Sequence, residues 1–245
     1  MASFAPEAIF YIGSFPITNT VLNTLLVDAG LLGTAYYIKN HIRKIPHLFQ
    51  NLIEVVMQSF YDMAEGIAGK NAVKIFPYFM TFFLFILLAN WSGLIPGVGT
   101  IGFLAPGEHG ESEIIPLMRG TTSDANTTFA LAIFSLIATH VLAIRAVGIG
   151  EYLSRYFSLN PIMLFVGVLE IVSEITKVIS LSFRLFGNIY AGEVVLHTVS
   201  NLFAFIAPVP FMLLEIIVGL VQALVFSMLT MVFMSVLMTP HNAEH

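Results

Sequence analysis

The sequence predicts an all-α membrane protein. Of its 245 residues, 57% are hydrophobic and only 10% are charged, whereas a water-soluble domain carries about 25% charged residues. The apolar runs are continuous and do not alternate with period two, which favours membrane helices over an outer-membrane barrel. No cysteine is present, which excludes disulfides and thiolate sites for metals or redox chemistry. We therefore expect a single membrane domain over 1–245, built as a multi-helix bundle.

The first candidate span and the segment after it set the expected orientation. Residues 17–38 are largely apolar, with Asn19 and Asn23 as unusual polar members, and a basic cluster starting at Lys39 follows at once. Basic residues stay on the cytoplasmic side of a span, so the N-terminus is expected outside. Over 46–69, apolar residues recur at helical spacing between charged and amide residues. That pattern is typical of an amphipathic helix at the cytoplasmic surface.

Two further spans of ordinary length follow. Residues 75–95 form the second span, and the acidic loop behind it suits the outer side. The third span, 124–144, opens with SDANTT, in which Ser123 or Asp124 can cap the first helical turn. Arg145 then returns the chain to the cytoplasmic side.

The last two segments, 160–200 and 208–238, are long apolar runs. Each exceeds the roughly 20 residues that a span perpendicular to the membrane needs, so we expect two long tilted C-terminal helices. At the bilayer centre a charge costs roughly 2.5 to 3.5 kcal/mol, so charged residues there face protein or water and mark an ion or substrate path. The first of these helices carries such residues at Glu170, Glu174, Lys177, Arg184 and Glu193.

Helical geometry places these charges on two faces. Glu193 projects from the side opposite to Arg184, roughly 13 to 14 Å further along the helix, and His197 shares the face of Glu193 one turn later. At about 100° per residue, a single polar stripe contains Glu170, Ser173, Glu174, Lys177, Arg184 and Asn188. The helix is therefore expected to present a fixed cation on one side and a titratable Glu/His pair on the other.

Some of these residues also have a structural interpretation, which the sequence leaves open. Lys177 with Glu174 or Glu170 can be an ion pair within the helix. Asp124 can be a helix cap and nothing more. His197 can be a packed or interfacial histidine instead of a proton relay.

Glu215 and Gln222 favour a functional interpretation. They lie seven residues apart on one face of 208–238, too deep in the span to cap a helix. The seven histidines show no metal-ligand spacing, and no nucleophile motif of a hydrolase is present. We therefore expect neither catalytic residues nor a metal or other cofactor.

The run SLSFRLFGNIYAGE, from Ser180 to Glu193, resembles the signature of subunit a of F-type ATP synthases, the stator part of a membrane motor. The likeness extends back through Asn160-Pro161 and Glu170, and forward to Glu215 and the Gln222-Ala223 step. Asn90 in LLANWSGLIP and SDANTT around Asp124 also match, so the resemblance covers most of 75–238.

The resemblance implies two long tilted helices that embrace a rotating ring of c subunits, with two offset aqueous half-channels separated by Arg184. Histidine stands at the position of Glu215 in some relatives, and Glu174 and His197 also depart from the family pattern. The resemblance assigns the outer half-channel and its approach to Arg184 to Glu193, Glu215, Asp124, Asn188 and Gln222. It assigns the cytoplasmic half-channel to Glu170, Ser173, Lys177 and Ser180.

The chemistry of Arg184 agrees with that assignment. A guanidinium stays protonated at any working pH, so it can attract a deprotonated rotor carboxylate and block direct proton passage. Lysine is a poor substitute because burial can lower its pKa and neutralise it.

We therefore expect a non-catalytic, proton-translocating subunit that couples an ion gradient to ring rotation, with ATP made elsewhere in the complex. The expected partners are the c-ring, the b subunits of a peripheral stalk, the lipid bilayer and protons or Na⁺, and no nucleic acid. A bacterial plasma membrane is the expected location.

Two other classes remain as alternatives. A free-standing ion-coupled secondary transporter also uses intramembrane Arg and Glu, but it is expected to show repeat-like halves and broken helices, which the sequence lacks. A structural membrane scaffold has no need of Arg184.

Overall fold

The structure, a computed structural model, describes residues 6–43, 46, 48–95, 98, 101–106, 112–157, 161–202 and 207–239. These residues are mostly helical, which confirms the predicted fold class. Asn160, which belongs to a predicted helix and to the family resemblance, lies outside the described residues. The helices are α1 (Asn19–His41), α2 (Leu48–Ala68), α3 (Ala72–Ser92), α4 (Ala125–Val147), α5 (Ile149–Tyr156), α6 (Pro161–Leu202) and α7 (Pro208–Leu237).

Several helical stretches are long and apolar enough to cross a membrane, namely α1, Gln50–Ser92, α4 and α7. Large apolar side chains such as Leu32 and Ile217 are exposed along them. Apolar surface of this extent marks contact with a membrane or another protein. Helix α6 adds 42 residues, a length of about 60 Å at 1.5 Å per residue. The chain is a multi-pass membrane protein.

Helix α2 passes into α3 through a single 3₁₀ turn, Gly69–Asn71. Gly69 has a φ of +53°, in the left-handed region that glycine adopts without a steric penalty. The predicted amphipathic segment ends at residue 69, and the predicted second span begins at residue 75. The structure instead begins α3 at Ala72, directly after the turn.

Two antiparallel hairpins are absent from the sequence prediction. Strand β1 (Ala8–Ile12) pairs with β2 (Phe15–Thr18), and β3 (Gly102–Pro106) pairs with β4 (Ser112–Pro116). Three of these strands contain proline, which removes a backbone donor and weakens the sequence signal for a strand. Both hairpins lie in segments that connect or precede the helices.

The chain divides into two compact units. Unit I comprises the described residues of Met1–Asn40, Phe83–Thr128 and Arg184–Leu224. Its buried residues combine apolar side chains with an unusual number of polar ones for a membrane protein. They include Asn23, Val27, Ile86, Asn90, Arg119, Asp124, Leu185, Glu215 and Gln222.

Unit II comprises the described residues of His41–Phe82, Phe129–Phe183 and Val225–His245. Its core is more apolar and rich in aromatic contacts, such as Phe82 against Phe226 with ring centroids 5.7 Å apart. Glu174 is a carboxylate that is only 6% exposed within this core, whose other buried polar side chains include the hydroxyls of Ser135, Thr139 and Thr230.

Candidate functional site

The candidate site of unit I is built around two of its carboxylates, Glu193 on α6 and Glu215 on α7. The Nε atom of Arg119 lies 3.5 Å from Oε1 of Glu193, and the Arg119 side chain is 8% exposed. Glu215 is 5% exposed, and its carboxyl group lies against the backbone of the residue before Glu193. One oxygen of each carboxylate is buried with no hydrogen-bond partner among the described residues. Such oxygens are costly to leave unsatisfied, so each would need a hydrogen-bond donor such as water.

A glycine lets Glu215 approach α6. The carboxyl group of Glu215 lies against the backbone at Gly192, where a Cβ atom would overlap it. Any other residue at position 192 therefore displaces this carboxyl group. The glycine next to Glu193 thus sets where the second carboxylate of the site can lie.

Asn90 ties α3 to α7 close to Glu215. Its Nδ2 donates to the carbonyl of Gly219 at 2.9 Å, and its Oδ1 accepts from the Thr122 hydroxyl at 2.6 Å. One residue later, Trp91 Nε1 donates to the carbonyl of Ile216 at 3.1 Å. Because these bonds reach the turn after Glu215, they hold its part of α7 in place.

Polar residues of α1 also hold neighbouring segments in place through hydrogen bonds. Asn23 Nδ2 donates to Ser92 Oγ at 2.8 Å and to the carbonyl of Arg119 at 2.9 Å. A buried amide that donates to backbone carbonyls has its N–H groups satisfied, and it holds the neighbouring segments in position. Asn23 therefore positions the segment that carries Arg119.

Asp124 caps α4. Its Oδ1 accepts from the backbone N–H of Asn126 at 2.9 Å, and its Oδ2 accepts from the Thr20 hydroxyl at 3.3 Å. Ser123, the other candidate cap, instead accepts from Nε of Arg119 at 3.2 Å. The sequence left open whether Asp124 is a helix cap, and the structure contains this cap. Both carboxylate oxygens of Asp124 accept hydrogen bonds.

Unit II contains a second polar cluster, around Glu174. Lys177 Nζ lies 2.8 Å from Glu174 Oε1, and the same ammonium lies 4.6 Å from the ring centroid of Phe233. His140 Nε2 on α4 lies 4.0 Å from Glu174 Oε2, and His140 Nδ1 is hydrogen-bonded to the Tyr152 hydroxyl at 2.8 Å. Lys177 therefore pairs with Glu174, one of its two predicted partners.

The other predicted partner of Lys177, Glu170, pairs elsewhere. Its Oε1 lies 3.2 Å from Nε of Arg155 on α5. Helix α5 can approach α6 here because Gly167 has no Cβ that would overlap the backbone of Tyr156. Burial raises the pKa of the Tyr156 hydroxyl above its ordinary value, so this group stays protonated.

The remaining predicted site residues differ in exposure. Gln222 is buried on α7. His197 is exposed, and its Nδ1 lies 3.3 Å from Nδ2 of Asn201 in the same helix. Along α6 the exposed side chains include Ser173, Ser180, Arg184 and Asn188.

Sequence reasoning missed two ionisable residues, Arg119 and His140. Arg119 lies in the acidic loop after the second span, and its partner Glu193 lies far along the chain. His140 is a single histidine in the third span, and the rule that flags ionisable residues inside spans applies to it as well. That signal was therefore available for His140 and absent for Arg119.

Comparison with known proteins gives the family. Residues 20–235 match the family described as ATP synthase A chain. The chain is 32% identical over 235 residues to ATP synthase subunit a of Moorella thermoacetica, across 96% of this chain and 97% of the relative. It is 33% identical over 225 residues to ATP synthase subunit a 2 of a Bradyrhizobium species, across 92% and 91%. The resemblance of the Ser180–Glu193 run is confirmed, and the chain belongs to the ATP synthase A chain family.

Proposed function

We propose that the chain is the proton-translocating stator subunit of an F-type ATP synthase, which provides two half-channels to a ring of c subunits. Membership of a family of ATP synthase subunits supports this function, as do the membrane-spanning helices. The chain would bind the b subunits of a peripheral stalk and carry no catalytic residues. It would lie in a bacterial plasma membrane with its N-terminus outside.

One observation carries the proposal, namely the order of ionisable groups along α6. Glu170, Glu174 and Lys177 come before Arg184, and Glu193 comes after it. Charges in a membrane helix are retained where they serve an ion path. A permanent cation with acidic groups before and after it is the arrangement that two half-paths and a barrier require.

Arg184 would be that barrier. Its side chain is exposed on α6, on a face available to a rotor carboxylate. A guanidinium keeps its charge when it is desolvated, so it would pair with each deprotonated carboxylate that the ring presents. Asn188, also exposed one turn later, would hydrogen-bond to the same group, and Gln222 would line the approach from α7.

Glu193 and Glu215 would form the outer half-path. Arg119 keeps Glu193 paired with a cation, whereas Glu215 is more deeply buried and would be the carboxyl group that takes up and releases the proton. Asp124 would stand towards the mouth of this path.

Glu170, Ser173, Lys177 and Ser180 would belong to the cytoplasmic half-path. Protons would enter by one path, neutralise a ring carboxylate so that it can turn into lipid, and leave by the other. Each proton that crosses a potential of 100 mV supplies about 2.3 kcal/mol. The ring carboxylate would set the choice between H⁺ and Na⁺.

The test is ATP-driven proton pumping in inverted membrane vesicles that contain the complete complex. We expect Arg184→Ala to abolish pumping while the c-ring still co-purifies with the chain. We expect Arg184→Lys to pump poorly, because lysine can lose its charge on burial. Arg145→Ala, at an exposed arginine near the end of α4, is the matched control and should pump normally.

Normal pumping by Arg184→Ala would overturn the proposal. Failure of the chain to co-purify with a c-ring would favour a free-standing secondary transporter. Pumping lost together with the ring would instead assign Arg184 a role in assembly.

A further inference from the structure

The polar cluster of unit II forms a continuous chain of contacts across three helices. The Tyr152 hydroxyl on α5 lies 2.8 Å from Nδ1 of His140 on α4. Nε2 of the same ring lies 4.0 Å from Oε2 of Glu174 on α6, and Oε1 of Glu174 lies 2.8 Å from Lys177 Nζ. The two ring nitrogens of His140 thus face two different polar groups, as in a group that passes protons.

His140 is partly buried among charged and polar groups of α5 and α6. Its side chain is 24% exposed, whereas the Glu174 side chain is 8% exposed. The charged groups that act on it are Glu174, Lys177 and Glu170, all on α6, and Tyr152 faces it from α5. Because Glu174 and Lys177 neutralise one another, His140 lies beside a dipole and not beside an uncompensated charge.

A small recess in unit II borders Glu174 and Lys177 and is further lined by Ser135, Thr139, Leu181 and Phe233. The separation of 4.0 Å between His140 Nε2 and Glu174 Oε2 is too long for a direct hydrogen bond and suits a bridging water. A recess with hydroxyl, carboxylate and ammonium groups offers the polar partners that such a water needs.

We propose that His140 and Glu174 form a proton relay in the cytoplasmic half-path, an inference that rests on the proposed function. In the neutral ring, the Nδ1–H group donates a hydrogen bond to the Tyr152 oxygen and keeps its proton. The Nε2 lone pair then faces Glu174. A proton from the medium binds at Nε2 and gives an imidazolium. Breaking that N–H bond and forming an O–H bond on Glu174, through one water, restores the neutral ring and moves the proton to α6.

The experiment measures ATP-driven pumping in inverted vesicles at several values of medium pH, because the cytoplasmic face of these vesicles meets the medium. We expect His140→Phe to slow pumping by about tenfold at pH 8, where proton supply is limiting, and by less than about twofold at pH 6. His140→Gln should show the same profile, because it keeps a polar group near Tyr152 but cannot carry a proton.

The controls separate a relay from a packing role. A histidine that only packs would slow pumping by the same factor at every pH, and that result would overturn the proposal. In the double variant His140→Phe/Glu174→Gln, the rate should be no lower than in the slower single variant, because both residues act in one relay. Multiplicative losses would contradict it. His41→Phe, at an exposed histidine at the end of α1, should keep the parent profile.

Arg184→Ala, measured in the same experiment, separates failure of the proposed function from failure of the His140–Glu174 relay. If it pumps, the proposed function fails and the relay fails with it. If it is inactive while His140→Phe keeps the parent pH profile, only the relay is wrong.

Discussion

The carboxyl group of Glu215 on α7 lies against the backbone of Gly192 on α6, so closely that a Cβ at position 192 would overlap it. The neighbouring residue, Glu193, is the other carboxylate of the same site. A single missing side chain therefore lets the carboxyl group of α7 lie beside the acidic segment of α6 in unit I. The contact is steric, and it can be tested without reference to any proton route.

Gly192→Ala should destabilise the protein and impair pumping. The added methyl group must displace the Glu215 carboxyl group. Because that group is the end of a flexible side chain, the loss of stability should lie at the low end of the about 1–3 kcal/mol that overpacking costs. Thermal unfolding of the detergent-purified complex measures the first effect, and pumping in vesicles measures the second.

Gly66→Ala in α2 is the matched control, because a Cβ there meets no atom within 4 Å. It should be neutral or stabilising by about 0.5–1 kcal/mol, since alanine favours the helix. Glu215→Asp shortens the opposing side chain and should recover part of the stability lost in Gly192→Ala. An unfolding temperature of Gly192→Ala equal to that of the parent would contradict the contact.

Asn90→Ala should lower stability more than a typical surface change. It removes the donor to the Gly219 carbonyl and the acceptor for the Thr122 hydroxyl, both buried. Each buried polar group left without a partner costs about 1–3 kcal/mol. Asn201→Ala is the control, because that amide is exposed and contacts His197 in its own helix. If the two variants unfold at the same temperature, Asn90 does not anchor α7.

Much of the fold follows from hydrophobic length and charge placement, as in α4, where the expected span 124–144 compares with Ala125–Val147. The ion pair of Arg119 with Glu193 does not follow, because the residues are far apart in sequence and only tertiary packing brings them together. The same holds for Arg155 with Glu170. Glu174 drew attention as a departure from the family, but its nearness to His140 depends on how α4 packs on α6 in unit II.

Arg119 and Glu193 should show a modest energetic coupling. The arginine is buried but the Glu193 side chain is 36% exposed, so solvent screens the pair and the coupling should be about 1 kcal/mol. Thermal unfolding of Arg119→Gln, Glu193→Gln and the double variant gives this value from a double-mutant cycle. Strict additivity would show that the two side chains do not interact in the complex.

Two substitutions separate the role of Asp124 as a helix cap from the role of its negative charge. Asp124→Asn keeps an oxygen for the N–H of Asn126, so α4 stays capped, while Asp124→Ala removes the cap and should cost about 1 kcal/mol. Since both carboxylate oxygens are already engaged, we expect Asp124→Asn to unfold like the parent and to retain pumping. Protons can cross a water-filled channel mouth without binding to a particular side chain, so this result is compatible with Asp124 lying near the mouth of the half-path. Loss of pumping in Asp124→Asn, at unchanged stability, would instead show that the proton itself passes over this carboxylate.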